Sequence, residues 1–300
     1  MIQIQNTPID LALLPAPDVL EPLDYESILA AMLADLRVRH PAFDALVESD
    51  PAYKLLEVCA YRELLLRNRV NEAARAVMMA YALGNDLDQL AGNYGVARLL
   101  ITPADDTTNP PTPAVYEDDD AFRGRVLLSL EGYTTAGSRG SYKFHALSAS
   151  SDVKDIGVTS LEPGTVNIAV LSRTGTGAAP AGTIAAVTAA LNAETVRPLC
   201  DTVQIQSASI VNYAVDATLS VYFGVDQAAI QAAALASLDA YLAAQHQLAL
   251  GVSRSGIMAA LHQPGVRSVT LTSPAADVAC NWMQAAWCTS RAIALQEYVA

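Results

Sequence analysis

Basic residues are scarce in this chain of 300 amino acids. Lys and Arg total 18 against 31 Asp and Glu, which gives a formal net charge of -13. A nucleic-acid-binding protein usually presents a basic face to the phosphates, and the sequence shows no such cluster. The charge balance therefore predicts that nucleic acid is not a partner.

Cysteine and histidine are also few, and their spacing does not suit chemistry. The four cysteines contain no C-x-x-C pair, and the four histidines contain no H-x-x-x-H pair; their positions are Cys59, Cys200, Cys280, Cys288, His40, His145, His246 and His262. No G-x-S-x-G elbow is present either. Zinc, a disulfide framework and nucleophilic catalysis are therefore not indicated, and we predict no enzyme, no metal and no cofactor.

Long hydrophobic runs are missing as well. No window reaches about 18 uncharged apolar residues, and the first residues, M-I-Q-I-Q-N-T-P, lack the basic and apolar parts of a secretory signal. We therefore expect no membrane partner and a chain that folds in the cytosol. Hydrophobic residues nevertheless make up 52% of the chain and charged residues only 16%, which favours helices that pack on each other and on neighbouring subunits.

Three motifs imitate ligand sites without meeting their requirements. The segment Ser172–Gly182 resembles a dinucleotide-binding turn, but Pro180 stands where the third glycine belongs. The turn Gly137–Gly140 lacks the Lys-Ser/Thr pair of a P-loop. The acidic run Glu117–Asp120 lacks the spacing of a calcium loop, so we interpret it as a solvated helix start. No small-molecule substrate is predicted.

The first half of the sequence predicts helices. Asp24 is placed to cap a first amphipathic helix that ends before Pro41, and Asp50 is placed to cap a second that begins at Pro51. The second is expected to run for about thirty residues, as far as Gly84, because apolar residues recur at helical spacing: Leu55, Leu56, Cys59, Leu66, Val70, Ala73, Val77 and Tyr81. Asp86 and Gln89 then suggest a capping box for a short helix that stops at Gly92 or Gly95.

A Pro/Thr-rich segment, residues 102–114, has no periodicity and is predicted to be a linker. Asp118 to Asp120 are placed to cap the following helix, around Phe122, which we expect to rejoin the N-terminal helices. After Thr134 the pattern changes to alternating strands and helices. Strands are predicted at 153–159, 166–171, 202–206, 211–223 and 266–272, and helices at 141–149, 184–196, 227–244 and 255–261.

These patterns predict an α+β protein, with an N-terminal helical bundle, two small split β-α-β subdomains and a C-terminal tail. The tail carries both tryptophans, Trp282 and Trp287, and aromatic residues favour contact surfaces. Whether this segment is a helix packed on its own domain or a surface for another subunit is left open by the sequence. Small sheets also leave edges that another subunit could pair with.

Several of these segments together are similar to one family. The stretches L-L-E-V-C-A-Y-R-E-L-L-L-R-N-R-V-N-E-A-A, A-Y-A-L-G-N-D-L-D, E-D-D-D-A-F-R-G-R-V-L-L-S-L-E and T-T-A-G-S-R-G-S-Y resemble the baseplate J family, a wedge component of contractile phage tails and R-type pyocins. The later P-G-T-V-N-I-A-V-L, R-P-L-C-D-T-V and P-G-V-R-S-V-T-L follow in the same order.

The resemblance implies a structural protein of a contractile injection machine. Two copies would join one tail protein I-like wedge partner, and six wedges would close a ring around the central hub. Further baseplate proteins would link the ring to hub, sheath and tail fibres, and a change in ring shape would trigger sheath contraction. The chain would assemble in the host bacterial cytoplasm and then leave in the extracellular particle.

The predicted domains are an extended arm (residues 1–20), a helical wedge-bundle domain (21–133), a first α/β subdomain (134–208), a second (209–275) and the aromatic tail (276–300). Arg62 and Arg123 lie in the family-like motifs A-Y-R-E and A-F-R-G-R, and an arginine fork suits an interface carboxylate or carbonyl. The full set of candidate interface residues is Tyr61, Arg62, Arg69, Asn71, Asp88, Arg98, Phe122, Arg123, Arg125, Tyr142, Trp282 and Trp287.

Two other functions compete with a wedge protein. A small hydrolase would require a pocket of convergent ionisable groups with shifted pKa values. A cell-wall or receptor-binding tail module would bind cell-wall material as an isolated chain. The sequence does not distinguish a phage tail from a headless pyocin.

Overall fold

The computed structural model describes residues 11, 14, 15, 17–43, 46–134 and 137–298. The chain divides into two compact units, one of Met1–Ala97 with Asp119–Arg123 and one of Arg98–Asp118 with Gly124–Ala300. The described residues form eight α-helices and eight strands in three small sheets, so the α+β class is confirmed. Most of the predicted arm, residues 1–20, lies outside the described residues.

The first unit is built on two packed helices, α1 (Tyr25–Arg39) and α2 (Pro51–Ala76), with a 3-10 turn at Pro41–Phe43 between them. The Asp24 carboxylate accepts the Ser27 N–H at 2.9 Å, so the predicted cap is confirmed. Asp50 is the N-cap residue of α2, but its carboxylate accepts the Val47 N–H instead of capping. The core between α1 and α2 consists of apolar residues from both helices: Tyr25, Ile28, Leu29, Met32, Leu33, Tyr53, Leu56, Ala60 and Leu64.

Helix α2 ends at Ala76, eight residues before Gly84, where it was expected to end. The predicted run to Gly84 is wrong, because the Arg123 side chain donates to the carbonyls of Met79 (2.7 Å) and Ala82 (2.8 Å). A continuous helix would use these carbonyls for its own ladder. Gly84 is left-handed as expected, with φ +50°, but it begins the next helix instead of closing this one.

That next helix, α3 (Gly84–Gly92), stops at the predicted glycine but begins differently. Its N-cap residue is Leu83, and the Gly84 N–H is accepted by the Asp119 carboxylate at 3.0 Å. The predicted capping box of Asp86 and Gln89 is therefore wrong, because a carboxylate distant in sequence serves the helix start.

The predicted linker at residues 102–114 is a β-hairpin instead. Strands β1 (Leu100–Thr102) and β2 (Val115–Tyr116) pair antiparallel, and Asp105 and Thr112 exchange two backbone hydrogen bonds of 2.9 Å. The Asp105 carboxylate accepts from both the N–H and the hydroxyl of Thr107. Hydrogen bonds of threonine and aspartate side chains thus hold this turn together, and hydrophobic periodicity in the sequence does not report them.

Helix α4 (Asp119–Gly132) is shared between the two units. Asp119–Arg123 belong to the first unit, and the residues from Gly124 onward belong to the second. The expectation that α4 rejoins the N-terminal helices thus holds only for its first five residues. Helix α5 (Arg139–Ala149) begins after Ser138, whose hydroxyl accepts the Ser141 N–H, and Gly137 has a φ of +72°.

The second sheet has the order β3-β4-β5, from β3 (Val153–Glu162), β4 (Thr165–Ser172) and β5 (Thr202–Ser207). Strands β3 and β4 form a hairpin around Gly164, as the P-G pair predicted, and β4 runs parallel to β5 after the crossover helix α6 (Ala181–Leu191). Helices α5 and α6 bury Tyr142, Ala146, Val187 and Leu191 against Ile156, Ile168 and Val170.

The third sheet has the order β7-β6-β8. Its elements are β6 (Ser209–Val221), α7 (Gln227–Gln245), α8 (Arg254–Leu261), β7 (Val266–Ser273) and β8 (Gln284–Glu297). Strand β8 runs parallel to β6 from Ser209↔Gln284 to Val221↔Glu297. The helix considered for the C-terminal tail is wrong, because this segment forms strand β8 and completes the third sheet.

The two larger sheets meet in one buried cluster. Ala169, Leu171, Ala208, Leu248 and Ala285 form its centre, and Ile210, Trp282 and Met283 pack on it. At Gly157 in β3 a Cβ atom would collide with the Trp282 carbonyl oxygen, so this close approach requires glycine. The predicted division into two separate α/β subdomains stays a prediction.

Candidate assembly surfaces

Helix α2 carries apolar residues on two opposite faces. The inner face, with Leu56, Ala60 and Leu64, packs on α1. The outer face is exposed and includes residues that show the helical periodicity in the sequence: Leu55, Cys59, Leu66, Val70 and Ala73, followed by the C-cap residue Val77. Helices that are apolar all round are normally buried. The outer face therefore has the composition of an interface.

Two arginines interrupt this outer face seven residues apart. Arg62 and Arg69 are both exposed, and the Arg69 guanidinium lies 3.8 Å from the Glu72 carboxylate. Residues seven apart lie on the same side of a helix, so the outer face alternates apolar side chains with two cations. Tyr61 is exposed beside it. These three predicted interface residues are accessible to a partner.

The β1–β2 hairpin is a second exposed apolar surface. Leu100, Ile101, Val115 and Tyr116 are all exposed, and so are the residues of the hairpin tip. An isolated two-stranded hairpin is only marginally stable in water. This surface was not predicted, because the short strands on both sides of the proline-rich tip give no periodic signal in the sequence.

Four of the predicted interface residues are buried within the chain itself. The Asn71 side chain accepts the Glu21 N–H at 3.1 Å and donates to the Glu21 carbonyl at 2.9 Å. Phe122 is fully buried. The Tyr142 hydroxyl donates to the Asp201 carboxylate at 2.6 Å, and burial, followed by this hydrogen bond, raises the pKa of Tyr142.

The fourth buried residue, Arg125, forms an ion pair that was not predicted from the sequence. Its Nη2 lies 2.7 Å from Glu117 Oε2, and the side chains of the two residues are 4% and 3% exposed. The predicted solvated helix start is therefore wrong at Glu117. A charge in the interior requires a partner, and Arg125 supplies it. The spacing of eight residues fits no helical pairing rule, so this contact could not be predicted from the sequence.

Arg98 and Arg123 bind backbone carbonyls of their own chain. Arg98 Nη1 donates to the Glu117 carbonyl at 2.7 Å, and Arg123 also bridges to the Asp120 carboxylate at 2.6 Å. The predicted arginine fork on a carbonyl is thus present, but inside one chain. Asp88 in α3 is half-buried.

Both tryptophans are half-buried in the third sheet and the turn before it. Trp282 packs on the cluster between the two sheets, and Trp287 makes an edge contact with the His246 ring at 5.1 Å between centroids. Their role in contacts with another subunit stays a prediction.

A groove of about 570 Å³ follows α1 and α2, and its charged groups are paired within the chain. The Asp24, Asp35 and Glu63 carboxylates bind Ser27, Arg39 and Arg67 respectively. Pairs between residues so close in sequence are typical of structural contacts. Among the described residues that line the groove, no acid and base converge on one point as a catalytic site requires.

Over the described ranges, we find no group of three or more His, Cys, Asp or Glu that could hold a metal ion. None of the described helices combines the length and the apolar character that crossing a membrane requires.

Comparison with known proteins assigns the chain to one family. Residues 48–105 match the Baseplate J-like N-terminal domain, residues 134–207 the Baseplate J-like central domain, and residues 213–290 the Baseplate J-like protein C-terminal domain. Baseplate protein J of Escherichia phage P2 is 51% identical over 288 residues, which cover 94% of this chain and 95% of that protein. The chain therefore belongs to the baseplate J family.

Proposed function

We propose that this chain is a structural wedge protein of the baseplate in a contractile injection system. In this role it joins a second copy of itself and a tail protein I-like partner, and six wedges close the ring around the hub. Baseplate proteins act by binding other baseplate components in the particle, which agrees with the family assignment. The proposed role is mechanical and involves no substrate.

The outer face of α2 carries this proposal. It spans the length of a 26-residue helix with exposed apolar residues and two arginines, and the described chain leaves it uncovered. Burying apolar surface contributes about 25 cal/mol per Å², so several exposed leucines and valines can hold a helical partner. The two arginines would fix the register of that partner through its carboxylates.

The division of the chain into two compact units suggests that each unit binds different neighbours. The first unit, with α2, would bind the wedge partner, and the second, with its sheets and hairpin, would contact other copies. Ring triggering then requires interfaces with two stable arrangements, so that attachment of fibres changes the ring and releases the sheath. The chain would reach its partners in the host bacterial cytoplasm and leave in the particle.

Purification of the intact tail tests the proposal. We expect the chain to be retained in the particle and, after mild disassembly, to be recovered with a second baseplate protein. Mass spectrometry of the subcomplex would give the ratio of the two chains, which we expect to be two to one. Binding of the isolated chain to cell-wall material, with no chain in the tail, would instead support a cell-wall or receptor-binding module.

A matched pair of variants connects this result to α2. Leu66→Ser on the outer face is expected to abolish recovery of the partner while the chain stays folded. Leu56→Ser, on the inner face of the same helix, is expected to lower the stability of the chain itself, because Leu56 packs on α1. Equal partner recovery from the wild-type chain and Leu66→Ser would reject α2 as the binding surface.

A further inference from the structure

Strand β5 (Thr202–Ser207) forms an outer edge of the second sheet, with β4 on one side only. The Thr202 N–H donates to the Gly164 carbonyl at 2.8 Å, next to the start of β4. Backbone groups alternate in direction along a strand, so the even-numbered residues of β5 face β4. The N–H and C=O groups that point away from the sheet belong to the odd-numbered residues: Val203, Ile205 and Ser207.

These outward groups have no partner within the chain. Among the described residues, no hydrogen bond reaches the backbone N–H or C=O of Val203, Ile205 or Ser207. The register of β5 against β4 runs without a bulge from Thr202 to Ser207, so the edge is regular along its whole length. A regular, unpaired strand edge is a template on which a strand of another chain can form a ladder.

The other outer strands of the two larger sheets are bound by side chains of their own chain. In β3 the Ile156 N–H donates to the carboxylate of the preceding residue at 2.8 Å. In β7 the Leu271 carbonyl accepts from Arg254 at 3.0 Å. In β8 the Ile293 carbonyl accepts from Gln231 at 3.1 Å. These strands also contain charged residues, which discourage pairing with a further strand: Lys154, Asp155, Glu162, Arg267, Arg291 and Glu297.

Strand β5 has none of these protections. Its sequence, T-V-Q-I-Q-S, contains no charged residue and no proline. The side chains of Val203 and Ile205 pack on the core of the second sheet, whereas those of Thr202, Gln204 and Gln206 are exposed. Because the strand is uncharged, a second β5 strand can lie beside it without the repulsion of like charges, even though the chain as a whole is acidic.

We infer that β5 pairs antiparallel with β5 of a second copy of this chain, with Ile205 at the centre of the pairing. The inference rests on the proposed function, which places two copies in one wedge. The outward residues are symmetric about Ile205, so Val203 of each copy faces Ser207 of the other and the two Ile205 residues face each other. Every outward N–H and C=O then has a partner. The same surface serves both copies, as a two-fold dimer requires.

This register also fixes which exposed side chains meet. Gln204 of each copy lies opposite Gln206 of the other, in a pair whose own backbone groups face β4. The Cα atoms of such non-hydrogen-bonded pairs are about 4.5 Å apart. A disulfide spans about 4.4 to 6.8 Å between Cα atoms, so cysteines at these two positions can be joined.

Disulfide crosslinking in assembled tails tests the pairing. In a chain with Gln204→Cys and Gln206→Cys, oxidised with copper phenanthroline, we expect position 204 of one copy to be linked to position 206 of the other. Mass spectrometry of the linked peptides and a dimer band on a non-reducing gel would report this link. Ser268→Cys with Thr270→Cys, at exposed positions of β7, is the matched control and should link no copies. In both variants the exposed native cysteines are replaced by serine: Cys59 and Cys200.

The outcomes separate this inference from the proposed function. If the chain is in the tail but the β5 cysteines stay unlinked, or become linked to a different protein, the inference is wrong and the wedge assignment stands. If the chain is missing from the tail, the proposed function fails and the inference fails with it.

Two charge variants test the register independently. Gln204→Glu with Gln206→Glu places carboxylates opposite each other at two symmetric places, and it should lower incorporation of the chain into tails roughly tenfold. Gln204→Lys with Gln206→Glu instead places an ammonium opposite a carboxylate at both places, and incorporation should stay at the wild-type level. Equal incorporation of the two variants would overturn the pairing. Because both positions are exposed, urea unfolding of the purified chains should show wild-type stability.

Discussion

At the scale of single residues, removing one charge of the Glu117–Arg125 pair should destabilise the chain much more than removing both charges together. Arg125→Met leaves the Glu117 carboxylate, 3% exposed, without its main counterion. We expect the free energy of unfolding to fall by about 3 to 5 kcal/mol, because an uncompensated buried charge is costly. Urea unfolding at pH 7 would measure the change.

The double variant Glu117→Gln with Arg125→Met provides the control for this pair. It removes both charges together, so most of the lost stability should return. A single Arg125→Met variant within about 0.5 kcal/mol of the wild-type chain would show that the ion pair does not matter for stability.

His246 should make stability depend on pH. The ring is 7% exposed, and its Nδ1 donates to the Ala286 carbonyl at 2.8 Å. Burial lowers the pKa of His246; the hydrogen bond to Ala286 opposes this shift in part, and the charge of Lys154 adds to it. The unfolded chain then binds a proton more readily than the folded chain. Stability is complete above the ordinary histidine pKa of about 6.5 and is lost as the pH falls below it.

We therefore expect the urea midpoint to fall between pH 7.5 and pH 5.5, and the fall to be smaller in His246→Gln. This window lies above the range in which most carboxylates titrate. The exposed His262→Gln is the matched control and should keep the wild-type pH dependence. An identical pH profile for His246→Gln and the wild-type chain would reject this role.

The type of contact that a side chain makes was easier to predict from the sequence than the residue that it contacts. An arginine fork on a carbonyl was expected for Arg123, and it is present, but the carbonyls are those of Met79 and Ala82 in the same chain. Asn71 likewise binds the Glu21 backbone. These contacts join residues more than forty positions apart, and local spacing carries no information about such pairings.

At the scale of elements, periodicity predicted most helices and strands of the second unit, because each of them has one buried face. It failed where another element decides the structure. Arg123 ends α2 early, and β8 forms only because β6 offers a parallel partner along thirteen residues. In α2 the pattern identified a helix correctly, but most residues that produced it lie on the exposed face.

The assignment of β8 as a sheet strand predicts a contrast between two aspartate substitutions. Ala286→Asp places a carboxylate in the core of the third sheet and should lower the free energy of unfolding by about 3 kcal/mol or more. Ser290→Asp, at an exposed position of the same strand, should change it by less than about 0.5 kcal/mol. Thermal and urea unfolding would distinguish them, and equal, small effects would indicate a detached tail.

At the scale of the whole molecule, the two units present different exposed apolar residues, and this allows the roles proposed for them to be tested separately. The first unit exposes the outer face of α2. The second exposes Leu199, which is 99% exposed, and Phe223, which is 84% exposed. Replacing an exposed side chain usually changes the free energy of unfolding very little. Substitutions at Leu199 and Phe223 therefore test assembly and not folding.

We expect Leu199→Ser with Phe223→Ser to leave partner binding intact and to prevent closure of the ring. Leu66→Ser in α2 should give the opposite first defect, loss of the partner complex, and therefore no wedge from which a ring could form. Native mass spectrometry would report the complex, and electron microscopy of assembled tails would report the ring. The opposite result, loss of partner binding in the Leu199/Phe223 variant and normal binding in Leu66→Ser, would reverse the assignment. The second unit would then bind the wedge partner, and α2 of the first unit would not.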